Sequence, residues 1–162
     1  MPKTKKGEKK AVSKEGVKKK AKKTFKVDFK KLMPAGVKVG RSYAGLGLFA
    51  KEPIARGDFV IEYVGKILTT KEAENHLGKY LFEVNSKWTI DGATRSNTAR
   101  YINHSCKPNC EVEIKKNRVL IFAKRAIPVG EELSYDYGKE YVDEFIKPYG
   151  CKCGKCKGVA VK

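Results

Sequence analysis

Short apolar runs with a two-residue period recur along the chain, and most are closed by glycine, proline or asparagine. Val37-Lys38-Val39 alternates like a strand. Leu48-Phe49-Ala50 is an apolar run preceded by two glycines in Gly45-Leu46-Gly47. Phe59–Val64 follows a turn at Arg56-Gly57-Asp58 and carries Glu62 and Tyr63. Tyr80-Leu81-Phe82 and Trp88–Asp91 read as two further strands around a turn at Asn85-Ser86. Glu111–Ile114 and Arg118–Ala123 predict a hairpin across Lys115-Lys116-Asn117. Helix is predicted in two short places only. One is Lys71–His76, capped by Thr69 or Thr70 and acidic in its first turn; the other is Ser96–Ile102. No segment repeats. Many short strands with few helices predict a mainly β domain.

One stretch breaks the pattern. Tyr101-Ile102-Asn103-His104-Ser105-Cys106-Lys107-Pro108-Asn109-Cys110 is polar, small and turn-forming, yet lies between regular elements. Asn-His-Ser is a poor helix interior, and Pro108 stops any helix begun upstream. Buried polar groups are costly unless something satisfies or uses them, so such a knot marks a candidate site. Taken alone, a capped turn around one hydrogen-bonded histidine would explain it. The segments Gly130–Gly138 and Cys151–Cys156 place it in a larger constellation. The Gly45/Gly47 pair lets backbone approach a ligand closely. It lacks the third glycine and following helix of a dinucleotide fingerprint, which excludes a Rossmann reading.

Composition adds a second region. At 162 residues and 41% hydrophobic content, the chain suits one domain with a tail. Residues 1–24 hold 11 lysines against Glu8 and Glu15, a charge of +9 out of the net +18. Little there is apolar, so disorder is predicted up to Thr24 and folded structure from Phe25. Such a segment is either a polyelectrolyte arm for nucleic acid or another acidic surface, or a solubilising tail. No apolar run approaches the ~20 residues of a membrane span, and no apolar h-region follows the basic start. Five cysteines, three of them crowded into Cys151–Cys156, argue against a secreted disulfide framework and for a reducing, intracellular compartment.

The closing motif Gly130-Glu131-Glu132-Leu133-Ser134-Tyr135-Asp136-Tyr137-Gly138 completes the picture. Together with Gly45-Leu46-Gly47, Glu62-Tyr63-Val64-Gly65, Tyr80-Leu81-Phe82, Arg100–Cys106 and the terminal cysteines, it resembles the SET domain of protein lysine methyltransferases. The resemblance runs in the family's order from about Val37 to Cys156. It implies a β-clip fold in which the Asn-His-Ser and Glu-Leu-x-x-x-Tyr segments cross as a pseudoknot, an exception to unknotted connections. It implies a domain at 25–140, a post-SET-like segment at 141–162 and the lysine-rich tail at 1–24. It further implies S-adenosylmethionine at Ala44, Gly45 and Leu46, with Tyr80, Asn103 and His104 completing the pocket. By the same resemblance Tyr137 is the catalytic tyrosine, Tyr63 a wall of the lysine channel and Tyr135 the Phe/Tyr switch, while His104 holds cofactor rather than acting as a base.

Lysine methylation is a chemistry these residue types can serve. A lysine of pKa ~10.4 is neutral about one part in 2,500 at pH 7, a penalty near 4.6 kcal/mol. An aromatic channel disfavours the ammonium by desolvation, and a sulfonium repels it further. Alignment of the amine with the methyl group supplies the entropic share of catalysis. Tyrosine hydroxyls and carbonyls can hold the polarised methyl through weak C–H···O contacts. No Ser/His/Asp or two-carboxylate constellation competes. A tyrosine at 135 leaves less room for a growing methylamine than phenylalanine, so mainly monomethylation is expected.

Cys151, Cys153 and Cys156 offer soft thiolates suited to tetrahedral zinc, which needs a fourth ligand. The family's donor from a distance is Cys106. Two residues separate Cys153 from Cys156 where family members usually have four, and Cys110 is left over as a packed thiol. Tyr141–Tyr149 is expected to line the groove for the target lysine. Expected partners are histone, histone-like or other basic proteins, with nucleic-acid contact through the tail and no membrane. The expected location is the nucleus or chromosome of a eukaryote, or a prokaryotic cytoplasm or nucleoid. The alternatives are a non-catalytic basic scaffold on chromatin or nucleic acid, and a DNA-compacting protein in which the tail is the function. The tail itself is a candidate substrate, being tethered at high effective concentration.

Overall fold

The structure is a computed structural model and describes residues 32–76 and 78–156. The expectations for the lysine-rich segment 1–24 lie outside the described residues. Ten strands and very little helix make the described part mainly β, as expected.

Strands β1 (Val37–Ser42) and β2 (Gly45–Ala50) form an antiparallel pair. The two glycines therefore belong to a strand rather than preceding one. Strands β3 (Phe59–Tyr63), β4 (Lys66–Thr69), β5 (Leu81–Asn85) and β6 (Trp88–Asp91) follow in the chain. After the two-residue strand β7 (Asn103–His104) come β8 (Cys110–Lys115), β9 (Arg118–Ala123) and β10 (Ser134–Tyr135). One sheet has the order β3-β9-β8 and another β4-β6-β5. The β8–β9 hairpin closes on Lys116 and Asn117, whose φ values of 51° and 59° give the primed two-residue turn that matches strand twist.

β9 lies between two strands, and its consecutive residues Val119, Leu120 and Ile121 are all 0% exposed. An unbroken apolar run is what a strand covered on both faces requires. Leu48, Val60, Ile127 and Leu133 join the buried set. The short helix α1 is Thr70–Glu74, not Lys71–His76, because Thr69 caps it. The Thr69 hydroxyl accepts from the Glu72 amide while the Glu72 carboxylate accepts from Thr69 N–H, a reciprocal pair that fixes the start. Asn85 ends β5, and its Oδ1 accepts from Lys87 and Trp88 N–H, which moves the turn to Ser86-Lys87. The predicted helix over Ser96–Ile102 is a single 3₁₀ turn, Thr98–Tyr101.

The polar stretch is pinned by parallel pairing of β7 with β10, Asn103 opposite Ser134 and His104 opposite Tyr135. Asn109, 1% exposed, ties the same two segments together. Its Nδ2 donates to the Glu132 carbonyl at 2.8 Å and its Oδ1 accepts from Ser134 N–H at 2.8 Å. The Asn109 amide thus finds partners for both its nitrogen and its oxygen, which helps so polar a segment sit inside the domain.

Candidate functional site

Three tyrosines converge. Tyr63 ends β3, Tyr135 ends β10, and Tyr137 lies two residues beyond. The Tyr135 and Tyr137 rings touch at 4.9 Å between centroids, inclined by 43°. Tyr135 and Tyr137 are two positions apart, the spacing at which side chains of an extended segment share a face, and both rings lie on one side. Asp136 sends its carboxylate to accept from Gly138 N–H. Phe82 bridges Tyr63 and Tyr135, at 5.3 and 6.3 Å. Tyr141 stands edge-on to Tyr137 at 5.2 Å and passes the stack to Phe145. The Tyr63 hydroxyl donates to the Tyr80 carbonyl at 2.9 Å, and the Tyr137 hydroxyl to the Ile102 carbonyl at 2.7 Å.

Burial pushes Tyr63 up to about 12 and also raises Tyr137 and Tyr135 well above the ordinary phenol value, with neighbouring phenols adding to the shift for those two. All three keep their protons at neutral pH. They can donate and accept hydrogen bonds, but none is an anionic base.

Two cavities meet at Tyr137. One, of about 450 Å³, is lined by Ala44, His104, Tyr149 and Cys153 among others. The second, of about 910 Å³, takes in Leu46, Tyr63, Tyr80 and Tyr135. Ala44, Asn103, Tyr137, Tyr141 and Phe145 line both. Gly45 is absent from both linings; with φ 115° it makes the turn that presents Ala44 and Leu46. Asn103 is held by its amide, which donates to Glu132 Oε1 at 2.8 Å, the Leu46 carbonyl at 3.0 Å and Ser42 Oγ at 3.3 Å. Glu132 also explains Gly47, where a Cβ would lie 2.5 Å from Glu132 Oε1. His104 is held below the ordinary histidine range by burial, against a smaller pull from Asp136.

Cys106, Cys151, Cys153 and Cys156 come together, their four sulfurs all within 4.8 Å of one another. Cys106 lies 3.8 Å from Cys151, and Cys153 lies 3.6 Å from Cys156. Zinc–sulfur bonds of about 2.3 Å in a tetrahedron place the sulfurs about 3.8 Å apart, so the donor set fits zinc despite the shortened spacing. Gly154, at φ 63°, makes the tight return, and Lys155 N–H donates to Cys153 Sγ. Burial alone would raise the Cys153 thiol. Backbone hydrogen bonds and the neighbouring thiols outweigh it and bring Cys153 to about 6, so one thiolate is ready near neutral pH. Cys110 stands apart, 1% exposed and pushed up to about 12 by burial, as expected of a packed thiol.

Every residue expected at the site thus lies in one of the two cavities, at the turn between them or in the cysteine cluster. Three residues that position them were not foreseen. Asn97, 0% exposed, accepts from Val64 N–H and donates to the Gly92 carbonyl beside Tyr63. Asn109 and Glu132 are the others. Asn109 lay inside the polar stretch and was legible as a buried amide in need of partners; Asn97 carried no comparable signal.

Comparison with known proteins agrees with this geometry. The family of the SET domain matches residues 45–138. Human histone-lysine N-methyltransferase 2D is 39% identical over 122 residues, 68% of this chain and 2% of that protein. A histone-lysine N-methyltransferase of Schizosaccharomyces pombe, H3 lysine-4 specific, is 41% identical over 128 residues, 70% of this chain and 14% of that one. Among solved structures, ctPRC2 in an autoinhibited conformation bound to S-adenosylmethionine aligns with a TM-score of 0.60 and 34% identity, covering 65% of this chain and 15% of that chain. A humanized mutant of the Chaetomium thermophilum Polycomb Repressive Complex 2 aligns at 0.59. The chain spans a small fraction of the length of the curated relatives it matches. Among the described residues, no helix is long and apolar enough to cross a membrane.

Proposed function

The chain belongs to the SET-domain family, and from that premise we propose that it is an S-adenosylmethionine-dependent protein-lysine N-methyltransferase. The observation that carries the reading is Tyr137: a protonated phenol at the meeting point of two cavities, caged by Tyr63 and Tyr135. Two ligands could reach one tyrosine from two cavities. Similarity to the human and fission-yeast histone-lysine methyltransferases, and to a complex bound to S-adenosylmethionine, supports the donor and substrate class. Histone, histone-like or other basic proteins are the proposed substrates, at chromatin in a eukaryote or the nucleoid in a prokaryote.

Ala44, Gly45, Leu46, Tyr80, Asn103 and His104 would hold the cofactor. Asn103 Oδ1, without a hydrogen-bond partner among the described residues, suits an ammonium, and Nδ2 is already committed to Glu132, Leu46 and Ser42. Bound there, S-adenosylmethionine supplies an electrophilic methyl group. The chain's own part is to dry and align. Tyr63, Tyr135 and Tyr137 wall off water and disfavour a charged amine by desolvation. Tyr137 spends its proton on the Ile102 carbonyl, leaving its oxygen lone pairs for the C–H groups of a polarised methyl. The amine's proton leaves to solvent, because no residue in the cage is a strong base. The Tyr135 hydroxyl narrows the cage, which favours monomethylation. Cys106, Cys151, Cys153 and Cys156 would hold a structural zinc that fixes the segment beginning at 141.

The test is transfer of radiolabelled methyl to a histone mixture, a cell extract and the protein alone, wild type against Tyr137→Phe. Wild type should label a lysine-rich protein, and the variant should lose at least about a hundredfold in rate. A wild type that neither transfers methyl nor binds the donor would replace this reading with a non-catalytic basic scaffold.

A further inference from the structure

His104 stands between the tyrosine cage and the cysteine cluster, with both ring nitrogens engaged. Nδ1 lies 3.2 Å from the Tyr137 backbone nitrogen, whose N–H donates to it. Nε2 lies 3.5 Å from Cys106 Sγ. A neutral imidazole has one donor and one acceptor, so with Nδ1 accepting, the proton is on Nε2 and aims at sulfur. The ring is 6% exposed, and it stands edge-on to Tyr137 at 5.5 Å and 65°. Asp136 faces Nδ1 from the solvent side at 3.7 Å. A side chain that contacts a metal ligand in this way orients it.

Taking the methyl-transfer reading as its basis, we propose that His104 is a positioning residue that couples metal occupancy at Cys106 to the placement of Tyr137, so that zinc and the methyl donor bind cooperatively. A metal that fixes the Cys106 sulfur fixes the imidazole, and the imidazole fixes the backbone carrying the Tyr137 ring. The coupling is reciprocal: bound donor tightens zinc affinity by the same factor by which zinc tightens donor affinity.

Two substitutions separate the arms. His104→Asn keeps an acceptor near the Nδ1 position for Tyr137 N–H but cannot reach Cys106. His104→Gln keeps a donor near the Nε2 position and loses the acceptor. Calorimetric titration of S-adenosylmethionine into the full 162-residue chain, zinc-loaded and chelator-stripped, measures the coupling. A metallochromic dye times zinc release. The wild type should bind donor about tenfold more tightly with zinc than without, and both variants should lose most of that factor. Zinc release should quicken about tenfold in His104→Asn and stay near wild type in His104→Gln, a split that general loss of packing does not produce. Independently of any variant, amide exchange at Tyr137 in the wild type should slow on zinc loading. Coupling of wild-type size in both variants, or Tyr137 exchange indifferent to zinc, overturns the inference while leaving the methyl-transfer reading intact. Failure of zinc-loaded wild type to bind the donor at all overturns that reading and this inference together.

Discussion

Tyr63 and Tyr135 stand at the ends of strands that also carry the core, whereas Cys151, Cys153 and Cys156 stand on a segment with no strand or helix of its own. The cage is a product of folding: Tyr63 is 4% exposed, Tyr135 8%, and both pack with the buried cluster around Ile121 and Leu133. The cysteine cluster is half-exposed, and its order comes from four sulfurs in mutual contact. A site built into a core is preorganised at no further cost. One built on bends needs a ligand to hold it, and metal binding there is in effect local folding energy.

The comparison breaks most visibly under a core mutation. Ile121→Ala removes a 0%-exposed side chain from β9, the strand central to its sheet, and should cost about 2–5 kcal/mol in chemical denaturation. Zinc content per folded molecule should not change, because no cysteine ligand rests on β9. Loss of zinc from the folded variant would show that the two regions form one cooperative unit after all.

The protonation state of the cage gives the next largest effect. Burial raises all three phenols, Tyr63 to about 12, so the neutral form is favoured and persists through pH 10. Their stabilising contribution is fully present below the unfolded value of ~10 and is lost only as pH rises through the raised folded values. The reactive lysine amine, by contrast, gains about tenfold in its neutral fraction per pH unit below ~10.4. The logarithm of kcat/KM should therefore climb with unit slope from pH 7 to 9, about a hundredfold. A plateau or bell below pH 9 would mean that a group in the cage titrates, against the burial seen here.

Removal of metal sharpens the contrast from the other side. Cys156→Ser or a chelator should abolish zinc binding and weaken donor affinity about tenfold, yet shift the main thermal transition by less than about 4 °C. Collapse of the whole domain on chelation would make the cluster a fold determinant rather than a clasp.

These contrasts also account for what the sequence reveals. The β8–β9 hairpin was legible because Asn117 takes a positive φ readily and β9 has no polar break. The tyrosines and cysteines that the fold brings together stood out because each sits in a short motif. The β7–β10 pairing joins segments some 30 residues apart, and no local pattern encodes which side chains such a crossing will bring together. Asn97 is the extreme case, a buried amide whose partners Val64 and Gly92 become its neighbours only on folding.

The smallest expected change in rate comes with the sharpest change in outcome. Tyr135 is buried, packed on Tyr137 and Phe82, and its hydroxyl has no hydrogen-bond partner among the described residues. Tyr135→Phe therefore removes one oxygen without unsatisfying another group, and total methyl transfer should stay within about threefold of wild type. On the proposed reading a methylated amine rotates in the vacated space to present its lone pair again, so products should move from mono- to di- and trimethyl-lysine. Intact mass spectrometry of a peptide substrate reads the distribution directly. An unchanged, mainly monomethyl product would place the limit elsewhere in the cage, with Tyr63 the next phenol to remove. A mainly trimethyl product from the wild type would refute the size argument outright, because the cage would then already hold the larger amine with Tyr135 in place.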